Sequence, residues 1–157
     1  MSVKHVVCDL DGVLVEFNRP SCELLISLGA TLKPLSPDGP TECYYHQSLG
    51  ATKDQVRAMW SYINRNPKWW YDLPPHRDFH EEARLRLWDV LQTHDLSFVT
   101  SRPAGARSWT CSWLQFYLPA VQPQVVVTPH HKTLALIAME PDVIIEDKLQ
   151  TLQECRG

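Results

Sequence analysis

No stretch of this 157-residue chain approaches the length of an apolar membrane span, and no basic-then-apolar segment of signal-peptide size opens it. A membrane partner is therefore not expected; a soluble, cytoplasmic protein is. There is no C-x-x-C pair either. The five cysteines (Cys8, Cys22, Cys43, Cys111, Cys155) are odd in number and scattered, which excludes a disulfide framework or a zinc site and suits reduced thiols. Positive charge is not in excess: 15 Lys and Arg stand against 18 Asp and Glu, for a net charge of −3. A broad footprint for duplex nucleic acid is thereby excluded, though a local basic pocket for one phosphate is not. Repeats and low-complexity segments are absent. What the chain does have is aromatic and proline content, with six Trp and twelve Pro, pointing to aromatic-lined surfaces and long ordered loops. Its length suits one domain carrying a small insertion.

Four short apolar runs, Val3–Leu10, Leu96–Thr100, Val125–Thr128 and Val143–Glu146, predict buried strands. Helical spacing lies between the later ones: Trp109, Trp113 and Phe116 before the third, and Leu134, Ile137 and Ala138 before the fourth. Strands alternating with helices imply βαβ units and a parallel sheet flanked by helices. Right-handed crossovers then bring every strand's C-terminal end to one edge, where ligands bind in such sheets. Residues 18–80 are too many for one crossover and carry helices of their own. Asn18 and Pro20 open one, with Leu24, Leu25 and Leu28 on a stripe and Gly29 as its stop. Thr52 and Gln55 form a capping box before Val56, Met59, Trp60 and Ile63. Thr31–Pro40 reads as loop, and Asp78 with Glu81 caps a helix through Ala83, Leu87 and Leu91 that returns to the sheet. The expectation is an α/β core of residues 1–17 and 81–157, with a helical cap over 18–80.

The most informative segment is Asp9-Leu10-Asp11-Gly12, where an apolar strand ends. Two acids two residues apart suit phosphoryl transfer: one carboxylate attacks phosphorus, and the other gives and takes the proton. Two anions facing a phosphate call for a divalent cation, and oxygen-only ligands favour Mg²⁺. The rival readings are a capping turn or a calcium-loop fragment; Val13 and Pro20 at the required ligand positions argue against calcium. Three further strand ends carry matching groups. Thr100-Ser101 offers hydroxyls for phosphoryl oxygens, Lys132 an ammonium to offset charge, and Glu146-Asp147 a second acidic pair.

Together these segments resemble the four motifs of the haloacid dehalogenase superfamily, in order and across nearly the whole chain. More narrowly, Asp9 to Phe17, Trp60, Trp69-Trp70-Tyr71-Asp72-Leu73 and Val127-Thr128 with Lys132-Thr133 resemble the 5′(3′)-deoxyribonucleotidases. The resemblance implies a Rossmann-like sheet with a helical cap, and an enzyme that hydrolyses a phosphate monoester, a (deoxy)nucleoside monophosphate, through an aspartyl-phosphate. It implies Asp9 as the phosphorylated residue, Asp11 as acid/base, and Thr100, Ser101 and Lys132 on phosphate. Mg²⁺ would be held by Asp9, the Asp11 carbonyl and the first acid of the fourth motif. Positions matching Phe17 and Trp60 line the base pocket in that family. Three departures stand out. Glu146-Asp147 replaces the usual Asp-Asp, so either acid could ligate the metal. The basic residue after the second motif is replaced near Thr110, leaving Arg102 or Arg107 as substitutes. The chain also ends before the usual last strand, which would expose a sheet edge and leaves two readings open, a truncated sequence or pairing with another chain as a homodimer.

Among the remaining residues, Trp60 reads either as lid core or as a ligand contact. Trp69, Trp70 and Tyr71 cannot all be buried on one side, so one is expected at the cleft; Tyr44 and Tyr45 are weaker candidates. Phe17 and Trp60 are expected to sandwich the base. Trp88, Trp109 and Trp113 are expected in the core. His130-His131 reads as exposed loop, and His76 and His80 receive no role. The rival functions are a phosphatase for a sugar phosphate or nucleic-acid end, and a decayed scaffold that only binds.

Overall fold

The computed structural model describes residues 3–36, 45–79, 81–119, 124–129 and 132–155. Its sheet has four strands in the order β3-β2-β1-β4, with β1 His5–Cys8, β2 Asp95–Thr100, β3 Gln124–Val127 and β4 Val143–Ile145. All three pairings are parallel, and β1 is central, with Val6 beside both Leu96 and Val143. Side-chain alternation assigns each strand two faces. Val6, Cys8, Leu96 and Phe98 join the larger core, whereas Val7 and Val99 pack with Leu136 on the other side. Both faces are covered, as a parallel sheet requires. β4 is an edge strand on which Val143 and Ile145 remain partly exposed.

The connection from β1 begins with a tight loop in which the amides of Val13, Leu14 and Val15 all reach the Leu10 carbonyl. The helix α1 (Asn18–Ser27) starts without a side-chain cap from Phe17; the Glu16 carboxylate instead accepts from the amides of Asn18 and Arg19. It ends at Gly29, whose φ of +87° suits a left-handed stop. Cys22 and Leu25 are buried and Leu24 packs against the same core, while Leu28, past the helix end, is 39% exposed. A short helix α2 (Tyr45–Ser48) follows, then α3 (Lys53–Arg65), where Thr52 and Gln55 form the capping box in full. Met59 and Ile63 of α3 are buried, and a 3-10 turn, Pro67–Trp70, delivers Trp70 to the core. Glu16 N–H donates to the Pro74 carbonyl and His76 N–H to that of Leu14, so the segment's two ends run side by side.

Helix α4 (Glu81–Thr93) leads to β2. Asp78 stands ahead of it and pairs with His76 and Arg77; the capping position itself, His80, lies outside the described residues. Helix α5 (Arg107–Tyr117) buries Thr110, Trp113 and Leu114, not the Trp109–Trp113–Phe116 stripe. Phe116 is exposed, Trp109 is half-buried beside Tyr71, and Trp113 donates its indole N–H to the Leu73 carbonyl. Helix α6 (Lys132–Ala138) is likewise rotated: Lys132 and Leu136 face in, and Leu134 and Ile137 face out. Helix α7 (Leu149–Cys155) packs beside α6. Tyr44, His130 and His131 lie outside the described residues, as do the side chains of Trp88 and Leu91. Cys8, Cys22, Cys111 and Cys155 are free thiols. No helix among the described residues is long and apolar enough to cross a membrane.

Candidate active site

Asp9 follows β1, and its backbone amide continues the sheet by donating to the Ile145 carbonyl of β4. That bond brings the ends of β1 and β4 together, and with them Asp9, Glu146 and Asp147. One carboxylate oxygen from each lies within 4.8 Å of the others. Lys132, first residue of α6, places Nζ 2.5 Å from Asp9 Oδ2 and 2.6 Å from Glu146 Oε2. The other Asp9 oxygen accepts from the Leu10 amide at 2.7 Å.

The electrostatics of this group are crowded. Burial pushes the Asp9 carboxyl above the usual carboxylate range; Lys132 opposes the shift, and Glu146 and Asp11 add to it. Burial alone would weaken the Lys132 charge, but Asp9 and Glu146 outweigh it and hold the ammonium above its ordinary pKa. Three carboxylates and one ammonium still leave a formal excess of two negative charges. Among the described residues, Glu146 Oε2 is buried without a hydrogen bond of ordinary geometry, and the Lys132 ammonium lies 2.6 Å from it. An all-oxygen cluster with that charge fits a hard divalent cation such as Mg²⁺. Both acids of the fourth segment are placed to serve it.

Asp11 is arranged differently. Its side chain takes no part in the three-acid cluster. Arg102 grips it with both arms of the guanidinium, Nε to Oδ2 at 3.0 Å and Nη2 to Oδ1 at 2.6 Å. Thr100 Oγ1 adds a third donor at 3.1 Å. Thr100 is fully buried, so its hydroxyl serves Asp11 and does not line the cavity; Ser101 is exposed and does. Of the two candidate basic residues, Arg102 is buried beside Thr110 and Arg107 is exposed.

A cavity of about 160 Å³ opens over these groups. Asp9, Asp11, Ser101, Lys132 and Lys148 form its polar side. Phe17, Tyr45, His46, Gln47, Val56, Trp60 and Trp70 form the side built by the β1–β2 segment. The rings are already stacked on one another. Phe17 lies 5.9 Å from Trp60 and 5.8 Å from Trp70 between centroids, nearly parallel to both. At that spacing they are in direct aromatic contact, so the expected base sandwich between Phe17 and Trp60 has no slot in this arrangement. Trp69 is half-buried, edge-on to Phe17 and Trp70, and does not line the cavity. His46, Gln47 and Lys148 reach the cavity without having been singled out in the sequence. Lys148 had a signal, its place next to the acidic pair at a strand end; His46 and Gln47 had none.

No protein-family profile matches the chain, and no curated protein sequence does. Among solved structures, it is similar to the crystal structure of a Lactobacillus plantarum protein provisionally named a phosphoglycolate phosphatase. The likeness covers 99% of this chain and 83% of that one, with a TM-score of 0.59 and 17% sequence identity. Identity that low speaks to architecture alone: the four-stranded parallel sheet with flanking helices is a haloacid dehalogenase-like Rossmann fold.

Proposed function

We propose that the protein is a Mg²⁺-dependent phosphohydrolase of the haloacid dehalogenase type, acting on a phosphate monoester through Asp9. The observation that carries this is the meeting of Asp9, Lys132, Glu146 and Asp147 at one sheet edge, beneath a half-enclosed cavity. The Asp9 carboxylate attacks phosphorus, the bond from phosphorus to the ester oxygen breaks, and Asp11 delivers the proton that oxygen needs. Water then attacks the aspartyl-phosphate while Asp11 takes its proton, releasing inorganic phosphate and restoring Asp9. Lys132 and Ser101 hold phosphoryl oxygens. Mg²⁺, on Asp9, Glu146 and Asp147, would supply charge neutralisation for two approaching anions. Residues 18–80 act as the cap that keeps stray water from the reacting group.

Within this class we assign a nucleoside monophosphate as substrate, as the 5′(3′)-deoxyribonucleotidase resemblance implies. The cap side of the cavity is aromatic, and Trp60 keeps 37% of its surface exposed, a face on which a base can stack. A second reading, a smaller monoester such as a sugar phosphate, is favoured by the closed Phe17–Trp60 contact. Turnover of a panel of nucleotides, sugar phosphates and p-nitrophenyl phosphate, with Mg²⁺ and with a chelator, tests both. Mg²⁺-dependent release of phosphate is expected, and Asp9→Asn should abolish it while leaving the circular dichroism spectrum unchanged. Substantial activity in purified Asp9→Asn would overturn the mechanism.

A further inference from the structure

The Asp11 carboxylate and the cap are joined by an unbroken column of flat groups. Trp60 stacks on Phe17, Phe17 on Trp70, and Trp70 on the Arg102 guanidinium, 4.6 Å from the ring centroid to Cζ. Arg102 then closes on Asp11 through two parallel hydrogen bonds. Its third nitrogen donates to Thr110 Oγ1 at 3.0 Å, and the Thr110 hydroxyl donates to the Ala106 carbonyl. The Arg102 side chain is fully buried. A buried arginine is held by no solvent and must follow its partners, because an unpaired charge there is strongly unfavourable. A fold needing only bulk at this point would be served as well by an apolar side chain.

We propose that Arg102 is a positioning residue, tying the orientation of the Asp11 carboxylate to the packing of the cap's aromatic column. With both oxygens taken by three donors, Asp11 cannot rotate on its own. The guanidinium plane is fixed from one side by the Trp70 ring, which is fixed in turn by Phe17 and Trp60. A group that binds against the outer face of Trp60 and shifts the column therefore shifts Arg102, and Asp11 with it. Cap occupancy and the proton-transferring carboxylate become one mechanical unit.

The coupling is read without catalysis by hydrogen exchange at the Arg102 Nε–H in the ¹⁵N-labelled full chain, its signal assigned through its loss of protection in Asp11→Asn. Trp60→Leu and Phe17→Leu should speed that exchange by about tenfold or more, although two rings and one ring, respectively, separate these positions from Arg102. Trp70→Leu should do so more strongly, and Trp70→Phe should restore protection. Unchanged exchange in both Trp60→Leu and Phe17→Leu would overturn the proposal. Should Trp70→Leu fail to fold, the partly exposed Trp60 still carries the test. The kinetic arm rests on the phosphatase reading. Arg102→Lys keeps the charge but loses the fork and the flat face. Its kcat on an alkyl phosphate should fall about a hundredfold, as a misplaced catalytic group implies. Its KM should hold, and p-nitrophenyl phosphate, which needs little help in leaving, should suffer far less. Equal losses on both esters would reduce Arg102 to a structural plug. If the unaltered protein turns over no monoester at all, the phosphatase reading fails while the exchange measurement still decides the coupling.

Discussion

At the scale of single residues, Gly12 shows how backbone and site chemistry meet. Its φ of +88° is one that side chains rarely adopt, and it lies directly under Asp147. A Cβ built there would stand 2.2 Å from Asp147 Oδ2 and 2.8 Å from its Cγ. Because the obstacle is the end of a side chain, Gly12→Ala should fold with a loss of about 1–2 kcal/mol from the left-handed conformation. The larger effect should be on the metal. Pushing Asp147 away from Asp9 should weaken Mg²⁺ by roughly 10- to 100-fold, the range seen when a ligand's support is disturbed. Titration of the melting temperature and of activity with Mg²⁺ reads this directly. An unchanged Mg²⁺ midpoint would remove Asp147 from the ligand set. The carboxylates themselves were legible in the sequence because each stands where an apolar strand stops, and a parallel sheet gathers those stops on one edge. The Arg102–Asp11 clasp was not. Its partners are 91 positions apart, and nothing local tells which way a guanidinium turns. Thr100 was read as a phosphate ligand for the same reason, since burial, which sequence does not show, points its hydroxyl at Asp11.

Elements show a regular pattern of success and error. The four strands and the capping box of α3 were readable because their signals are local. Helix rotation was misread in α5 and α6, and in both a buried polar residue with a polar partner decides it. Lys132 must face the carboxylates, and at 100° per residue that takes Leu136 inward and leaves Leu134 and Ile137 63% and 49% exposed. Thr110 must meet Arg102, which turns Phe116 out to solvent. The contact between α1 and α2 is polar in the same way. Ser21 Oγ lies 2.9 Å from His46 Nε2 and 2.8 Å from the Tyr45 hydroxyl, all three residues buried. Burial holds the His46 imidazole down from 6.5 to about 4, so the folded state keeps it neutral while the unfolded chain protonates it near 6.5. Its contribution to stability is whole above that value and is lost progressively as pH falls toward 4. Urea midpoints measured across this window should drop more steeply for the unaltered protein than for His46→Gln. The raised Asp9 carboxyl acts in the opposite sense, but it is common to both proteins and cancels in the comparison. Parallel profiles would mean that His46 is not the source.

At the scale of the whole molecule, one sheet face and the β1–β2 segment share a single apolar core: Phe98 and Leu25 belong to the same cluster as Met59 and Trp70. The cavity therefore lies between two parts that pack continuously, and substitutions in its aromatic wall fall into two kinds. Phe17 is enclosed by Trp60 and Trp70 on its faces and by Trp69 and His46 edge-on. Removing it leaves a hole that its neighbours must fill, so Phe17→Ala should lower stability by a few kcal/mol at most. It should also weaken nucleotides and p-nitrophenyl phosphate alike, because the whole wall moves. Trp60 ends the column and lines the cavity. If a nucleobase stacks there, Trp60→Ala should cost roughly 1–3 kcal/mol of binding, a rise of about tenfold to a hundredfold in the KM for nucleotides. If p-nitrophenyl phosphate is held at Asp9, Ser101 and Lys132, as proposed, and scarcely reaches the residues 18–80 side, it should keep its KM. The two variants thus separate packing from recognition. If Trp60→Ala weakens both esters equally, Trp60 is wall and not platform, and the smaller monoester becomes the better substrate.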